Sequence, residues 1–430
     1  MDLVYAMGMA TMYCLQKSKI SAAWSFVSLA AHTIHALGLQ HHKLPMSSEG
    51  PEEKERRRDM FWTIYSAEKT LSLRLGRASN FRDQDITLAR PIQARPGDAF
   101  LAVLAPAWVS MASIQGRIYD EIYSPGALMQ PVHVRTSRAR ALAEELKVLM
   151  QRAQHVHEQY VASKGQILGL DYHEIARRSD RVMGLCFLTL VYRSIAPEKP
   201  SISEFCDECI EYARDTLQEH ERCVGVINKS QGNPVFLETY INWYIIRSPF
   251  IPFIVIFCYV IETSQASDLK HLGALVETLD SISNSHAQST FSKQRSLFRA
   301  LYGVACKYIE VKSREEDAGQ GGIPWSAVQH QYATELSSTA SANIGLGSID
   351  PSGVVHNASM AVHSHSHPGS MTTQDINHRA GQDLFEGMVD PRTLHNPVIG
   401  DVDMEMDPSG AQLWDWFNKN QSIMRMLEDT

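Results

Sequence analysis

The sequence is poor in most of the features that announce chemistry. Its seven cysteines (Cys14, Cys186, Cys206, Cys209, Cys223, Cys258 and Cys306) are spread through 430 residues, too few and too scattered for a disulfide framework, and no charged-then-apolar leader precedes them. A reducing compartment is expected. Basic charge is not in excess: 40 Lys and Arg face 48 Asp and Glu, a net charge of −8, which argues against a chain-wide surface for nucleic-acid phosphates. The most apolar window, Pro249 to Ile261, holds two prolines in 13 residues, whereas a membrane-spanning helix needs about 20 apolar residues. It reads as a core helix, and no membrane contact is expected. The phosphate-cradling spacings G-x-x-x-x-G-K and G-x-G-x-x-G are missing, as are the serine turn G-x-S-x-G and the zinc-protease pair H-E-x-x-H. Those enzyme classes lose their support.

What is present is helix. Apolar residues make up 44% of the chain, enough for a large core, and strand-like alternation between turn residues is scarce. The fold class expected is all-α, a multi-helix bundle followed by a disordered tail. Around Ala22–Leu37, apolar residues occur on several faces (Phe26, Leu29 and Leu37; Trp24, Val27 and Ile34), so this helix is expected to be buried on most sides and to stop at Gly38. Pro51 with Glu52, Glu53 and Glu55 opens the next helix, since proline suits a first turn and carboxylates suit the positive end of the dipole. Its apolar face is Phe61, Ile64, Tyr65, Leu71 and Leu75, and its stop is Gly76. From Arg138 to Tyr160, Leu142, Leu146, Leu149, Ala153, Val156 and Tyr160 form a seam. Packing inside the molecule is favoured over a homodimer seam, because the run is short of three to four heptads. Further helices are expected over Tyr172–Ile195, Ser203–Glu221, Tyr240–Ile261, Asp268–Ile282 and Lys293–Lys312.

The charge is unevenly placed. Residues 1–336 carry 36 basic and 36 acidic groups, residues 337–430 carry 4 and 12, so the whole net charge sits in a tail rich in Gly, Ser, Pro, Asn and His that cannot bury enough apolar surface to order itself. Three regions follow: a helical domain over 1–315, a low-complexity linker over 316–396, and an acidic, aromatic segment over 397–430.

Several small constellations invite a chemical reading, and each has a plainer one. Cys206 and Cys209 make a C-x-x-C without a second pair or a redox context, so structural cysteines are preferred to a metal site. His32 and His35, with His41 and His42 beyond, have no carboxylate near them to complete a metal site. His363, His365 and His367 lie in the serine-rich tail, where weak adventitious metal binding is the plain reading. Lys54, Arg56, Arg57 and Arg58 are interleaved with Glu52, Glu53, Glu55 and Asp59 and read first as a solvated helix face with local ion pairs. Asp83 and Asp85 lack the further carboxylates of a magnesium motif and read as loop caps.

Between Ala22 and Pro91 the pieces fall into an ordered set. Ala23-Trp24 leads into Ala30-Ala31-His32-Thr33-Ile34-His35-Ala36-Leu37-Gly38-Leu39; Glu55-Arg56-Arg57-Arg58-Asp59-Met60-Phe61-Trp62-Thr63-Ile64-Tyr65 follows, then Glu68-Lys69, Leu73-Arg74-Leu75-Gly76-Arg77, Asp83-Gln84-Asp85-Ile86 and Pro91. This set resembles the fungal-specific transcription factor domain, the middle homology or xylanolytic-activator regulatory region, whose pattern runs A-W … L-G-L-H, E-x-R-R-R-x-F-W-x-x-Y and L-G-R. Ala78 stands where that family often has proline. Arg247-Ser248-Pro249-Phe250-Ile251-Pro252-Phe253 is similar to a distal segment of such proteins. The resemblance implies an all-helical regulatory domain of a nuclear transcription factor without catalytic residues, in which Trp24, Gly38, Arg57, Arg58, Phe61, Trp62, Tyr65, Glu68, Gly76, Arg77 and Asp85 are structural motif residues. It also implies a preceding binuclear zinc cluster that holds two zinc ions on six cysteines and contacts DNA. That cluster is missing from this sequence, so zinc and DNA contact are expected only through a module outside it, either lost upstream, the favoured explanation, or dispensed with.

Two residue-level expectations follow. Glu68 shares the apolar face of Ile64 and Leu71, where a carboxylate needs a partner; Arg57, Arg58, Arg74 and Arg77 are the candidates. The acidic run Asp401–Asp407 followed by Leu413, Trp414, Trp416 and Phe417 has the character of an activation segment for coactivators, its carboxylates keeping the aromatics solvated. A small-molecule effector, or an all-α small-molecule-binding protein or enzyme without a visible motif, stays open as the alternative.

Overall fold

A computed structural model describes residues 1–42, 50–91, 100–164, 170–198, 201–230, 234–247, 250–282 and 292–317. Twelve α-helices carry these residues: α1 Asp2–Gln16, α2 Ile20–Leu37, α3 Pro51–Arg74, α4 Phe100–Ile118, α5 Pro125–Leu128, α6 Val132–Lys164, α7 Leu170–Tyr192, α8 Asp207–Lys229, α9 Pro234–Tyr240, α10 Ile251–Thr263, α11 Leu269–Ile282 and α12 Ser292–Asp317. Two π-helical turns, Tyr119–Tyr123 and Ile241–Ile246, continue α4 and α9. The described residues contain no strand, and the fold is all-α. The acidic segment with Leu413, Trp414, Trp416 and Phe417, and nearly all of the linker, lie outside the described residues.

The helix ends follow from local chemistry. Gly38 closes α2 in the left-handed region (φ 67°), where glycine carries no Cβ penalty. Its N–H reaches the His35 carbonyl at 3.1 Å, and the Leu39 N–H reaches Ile34 at 3.0 Å. Gly76 (φ 64°) does the same for α3, with the Arg77 N–H on the Ser72 carbonyl at 2.9 Å. Pro51 occupies the first turn of α3 with Glu52 and Glu53 beside it.

Two apolar cores result. The first is built by α1, α2, α3 and the irregular segment that follows Gly76, with Val27, Ile34, Phe61, Ile64, Tyr65, Phe81 and Leu88 inside. The second is built by α4, α6, α7, α8 and α10–α12, with Leu142, Leu146, Phe187, Leu217, Phe253 and Leu275 among its members. Helix α4 serves both: Val109 and Ala112 face the first, Met111 and Ile114 the second. Each large side chain buried in this way contributes roughly 1.5–3 kcal/mol.

Four expectations are corrected or completed. Only one side of α2 is buried (Ala23, Val27, Ala30, Ala31 and Ile34), while Phe26, Leu29 and Leu37 are 39%, 50% and 48% exposed. A hairpin with α1 packed on α3 covers one stripe, whatever the composition of the others. This 18-residue helix is apolar enough to cross a membrane by length and composition alone; here its buried stripe belongs to the first core. The expected helix Tyr240–Ile261 is two elements, because the π-turn ends at Ile246 and α10 starts afresh at Ile251 with Pro252 in its first turn. Helix α4, with Pro106 inside it, was not foreseen. In the seam of α6, Leu142 and Leu146 are fully buried within the molecule's own second core.

Candidate functional site: helix α3 and the loop it grips

The segment from Arg77 to Pro91 has one turn of regular structure, Asp83–Asp85, and is shaped instead by side chains of α3. Glu68, wholly buried, accepts at Oε1 from Ser72 Oγ (3.0 Å), the Asn80 backbone N–H (2.7 Å) and Asn80 Nδ2 (3.1 Å), and at Oε2 from Ser79 Oγ (2.6 Å). Serine and asparagine hold the carboxylate, in place of the arginine expected from charge. The four candidate arginines face elsewhere. Arg57, 1% exposed, donates from Nη1 to the carbonyls of Leu39 (3.1 Å) and His41 (2.8 Å), clamping the chain that leaves α2. Arg58 lies beside Glu55 and Asp59 at 3.4 and 3.3 Å. Arg74 donates from Nε to the Ile246 carbonyl at 3.1 Å, and Arg77 lies over the Trp24 ring, 5.3 Å from its centroid. The basic run is therefore divided: Arg57 points inward and Arg58 makes the local pairs.

At the next residue, Lys69 donates to the Phe81 carbonyl at 2.7 Å and lies 3.1 Å from Asp83 Oδ1. Its stem has room because Gly116 of α4 has no side chain; a Cβ there would come within 2.9 Å of Lys69 Cδ. Asp83 is the hub. It accepts from the Tyr65 hydroxyl (2.9 Å), Ser113 Oγ (2.6 Å) and Arg90 Nη2 (2.8 Å) as well as pairing with Lys69. Burial alone would raise its carboxyl, but the hydrogen bond from Ser113, the charge of Lys69 and the bond from Tyr65 outweigh it and hold Asp83 below the ordinary aspartate range. Burial, then the charge of Asp83, pushes the Tyr65 phenol above its ordinary range, so Tyr65 stays a donor. Trp62 donates from Nε1 to the Ala89 carbonyl at 2.9 Å, with Arg90 over its face. Phe61 packs edge-on against Phe81.

The structure thus gathers Phe61, Trp62, Tyr65 and Glu68 around one loop, while Arg57 and Gly38 fix the preceding one. Asp85 is exposed; the aspartate that ties the loop is Asp83. Ser79, Asn80, Arg90 and Ser113 belong to the same network and were missed. Ser72, four residues after Glu68, was the available signal for part of it; Ser113 comes from α4, and no spacing announces it.

Metal chemistry finds no fit among the described residues. Cys206 and Cys209 are buried at the start of α8, with their thiols on the carbonyls of Tyr192 (3.5 Å) and Thr189 (3.7 Å). Burial pushes the Cys206 thiol up to about 11 and lifts Cys209 well above the ordinary thiol range, the reverse of what a metal thiolate needs. No group of three or more His, Cys, Asp or Glu is disposed to hold an ion among these residues.

Comparison with known proteins decides what this arrangement is. The model of the fungal specific transcription factor domain matches residues 2–98, the stretch that builds the first core and its loop. Residues 2–98 are a fungal specific transcription factor domain. The lactose regulatory protein LAC9 of Kluyveromyces lactis is 38% identical over 90 residues, 20% of this chain and 10% of that protein. Protein STB5 of Saccharomyces cerevisiae is 26% identical over 124 residues, 28% of this chain and 17% of that protein. An uncharacterized transcriptional regulatory protein of Schizosaccharomyces pombe is 25% identical over 297 residues, 63% of this chain and 43% of that protein. The chain therefore spans less than half of each of these relatives. No solved structure matches at comparable significance. Phe61, Trp62, Tyr65 and Glu68, expected as structural residues, are among the α3 side chains that hold the loop after Gly76.

Proposed function

We propose that this chain is the regulatory region of a fungal zinc-cluster-type transcription factor that controls RNA polymerase II transcription in the nucleus. The observation that carries the reading is the domain match at residues 2–98, whose buried side chains form most of the first core and whose Tyr65 and Glu68 hydrogen-bond the loop after Gly76. Similarity to a transcriptional regulator reaches over 63% of the chain and extends the reading to the second core. The region works by contact, without catalysis. DNA is reached through a zinc-cluster module outside this sequence, coactivators are engaged by residues 397–430, and homodimerisation and a small-molecule effector act on the helical part.

The test is a fusion. Joined to an unrelated DNA-binding domain in yeast, residues 1–430 should raise a reporter several-fold, and removal of 397–430 should abolish the gain. A reporter at background with both the whole chain and residues 397–430 alone would overturn the proposal.

A further inference from the structure

A second buried polar group lies in the C-terminal core. Asp180 of α7 accepts from Trp108 Nε1 at 3.2 Å and from the Tyr244 hydroxyl at 3.3 Å, and lies 3.1 Å from His157 Nε2. Trp108, His157 and Asp180 line one side of a cavity of about 210 Å³ between α4, α6, α7 and α8. Its walls mix polar side chains with soft apolar ones, Met111, Met150, Met183 and Tyr212 among them, and thioether side chains adapt to a ligand's shape. Three cations line it: Lys147, Arg177 and Arg181. Lys147 is held by Glu144 and the Tyr192 hydroxyl, and Arg177 by Glu174. Arg181 is 44% exposed, and Glu219 lies 3.8 Å from it, beyond hydrogen-bond reach. Of the nearby carboxylates, Asp180 is engaged by its donors, and Asp215 and Glu219 remain as negative competitors at Arg181.

Through the hydrogen bond from Tyr244 to Asp180, this wall is tied to the first core. Tyr244 lies in the π-turn Ile241–Ile246, a helical irregularity of the kind often found at functional sites. In the same turn Asn242 hydrogen-bonds Ser18 Oγ and donates to the Gln16 carbonyl at 2.9 Å, Trp243 Nε1 donates to Gln16 Oε1 at 2.7 Å, and the Ile246 carbonyl accepts from Arg74.

We infer that the cavity binds a small apolar carboxylic acid, with its hydrocarbon among the methionines and its carboxylate on Arg181, and that occupancy is passed through Tyr244 and the π-turn to the loop between α1 and α2. The volume suits a ring with a short acidic arm, since a cavity of about 150 Å³ is filled by benzene. The inference rests on the effector part of the function proposed above and adds its site, ligand class and route.

The experiment uses the whole chain with phenylacetate, phenylalanine and phenethylamine as probes. Phenylacetate should raise Tm by about 2–4 °C at saturating concentration, phenethylamine should not, and Arg181→Gln should weaken phenylacetate about tenfold or more. Amide exchange at residues 16–19 should slow on phenylacetate binding in the parent chain. In Tyr244→Phe, binding should persist without that slowing. Failure of the parent chain to bind phenylacetate, equal or tighter binding of the amine or the zwitterion, unchanged affinity in Arg181→Gln, or exchange at residues 16–19 that ignores the ligand each overturns the inference. The reporter fusion reads separately: binding with a silent reporter sinks the transcriptional reading alone, and an active reporter without binding sinks this site alone.

Discussion

The two cores are specified by different kinds of contact. Around α3, buried polar groups select a particular loop path: Glu68 on Ser79 and Asn80, Lys69 on the Phe81 carbonyl, Asp83 on Tyr65 and Ser113, and Arg57 on two carbonyls beyond α2. Around α7 and α8 most of the packing is done by side chains such as Phe187, Leu217, Val191 and Leu275, fully buried without polar direction, with fewer polar ties such as Arg178 to Glu219 and Arg214 to Asp268. Apolar packing tolerates volume-conserving exchange; a stranded buried donor or acceptor does not. The expected motif residues therefore sit where polar partners are exacting, while the second core rests largely on a pattern that many sequences satisfy.

That contrast can be broken in order of expected effect. Glu68→Ala removes the acceptor shared by Ser72, Ser79 and Asn80 and should cost about 3–4 kcal/mol, measured by urea unfolding; a cost below that of Leu275→Met, expected to be under about 1.5 kcal/mol, would reverse the comparison. Asp83→Asn should cost about 1–3 kcal/mol. Because the Asp83 carboxyl is held below its ordinary range in the folded state, its contribution is full above the unfolded pKa and lost as pH falls through the folded one. The parent should therefore lose stability in acid where the variant does not, and identical acid limbs would refute the assignment. In the second core the sensitive group is His220, which burial holds neutral with its pKa lowered to about 3 beside the Tyr240 hydroxyl at 2.9 Å. Below pH ~6.5 the unfolded histidine takes up a proton that the folded one refuses, so stability should fall by up to about 1.4 kcal/mol per pH unit, and His220→Gln should flatten that limb. Exposed Asp85→Asn should change stability by less than about 0.5 kcal/mol; a larger change would restore the role that the motif assigns to it.

Much of the fold was legible in the sequence because local chemistry settles it. Gly38 and Gly76 ended their helices, Pro51 opened one, and the ordered motif from Trp24 to Pro91 named the domain. The rest required knowledge of neighbours. Whether Phe26 and Leu29 are covered depends on what packs against α2, and its own periodicity carries no record of that. The exchange of an arginine for Ser79 and Asn80 at Glu68 depends on a loop without periodicity, and the choice of Asp83 over Asp85 turns on Ser113 from a helix that was not foreseen. The π-turn at Ile241–Ile246 lay inside an apolar run that reads as unbroken helix.

The hydrogen bonds from Ser18 to Asn242 and from Arg74 to Ile246 join residues 224 and 172 positions apart. A chain emerging from the ribosome has made α1, α2 and α3 long before either partner exists. The block at residues 2–98 is thus fully seated only after Ile246 has been synthesised, and a protein trimmed to that block would carry the turn between α1 and α2 without its lock.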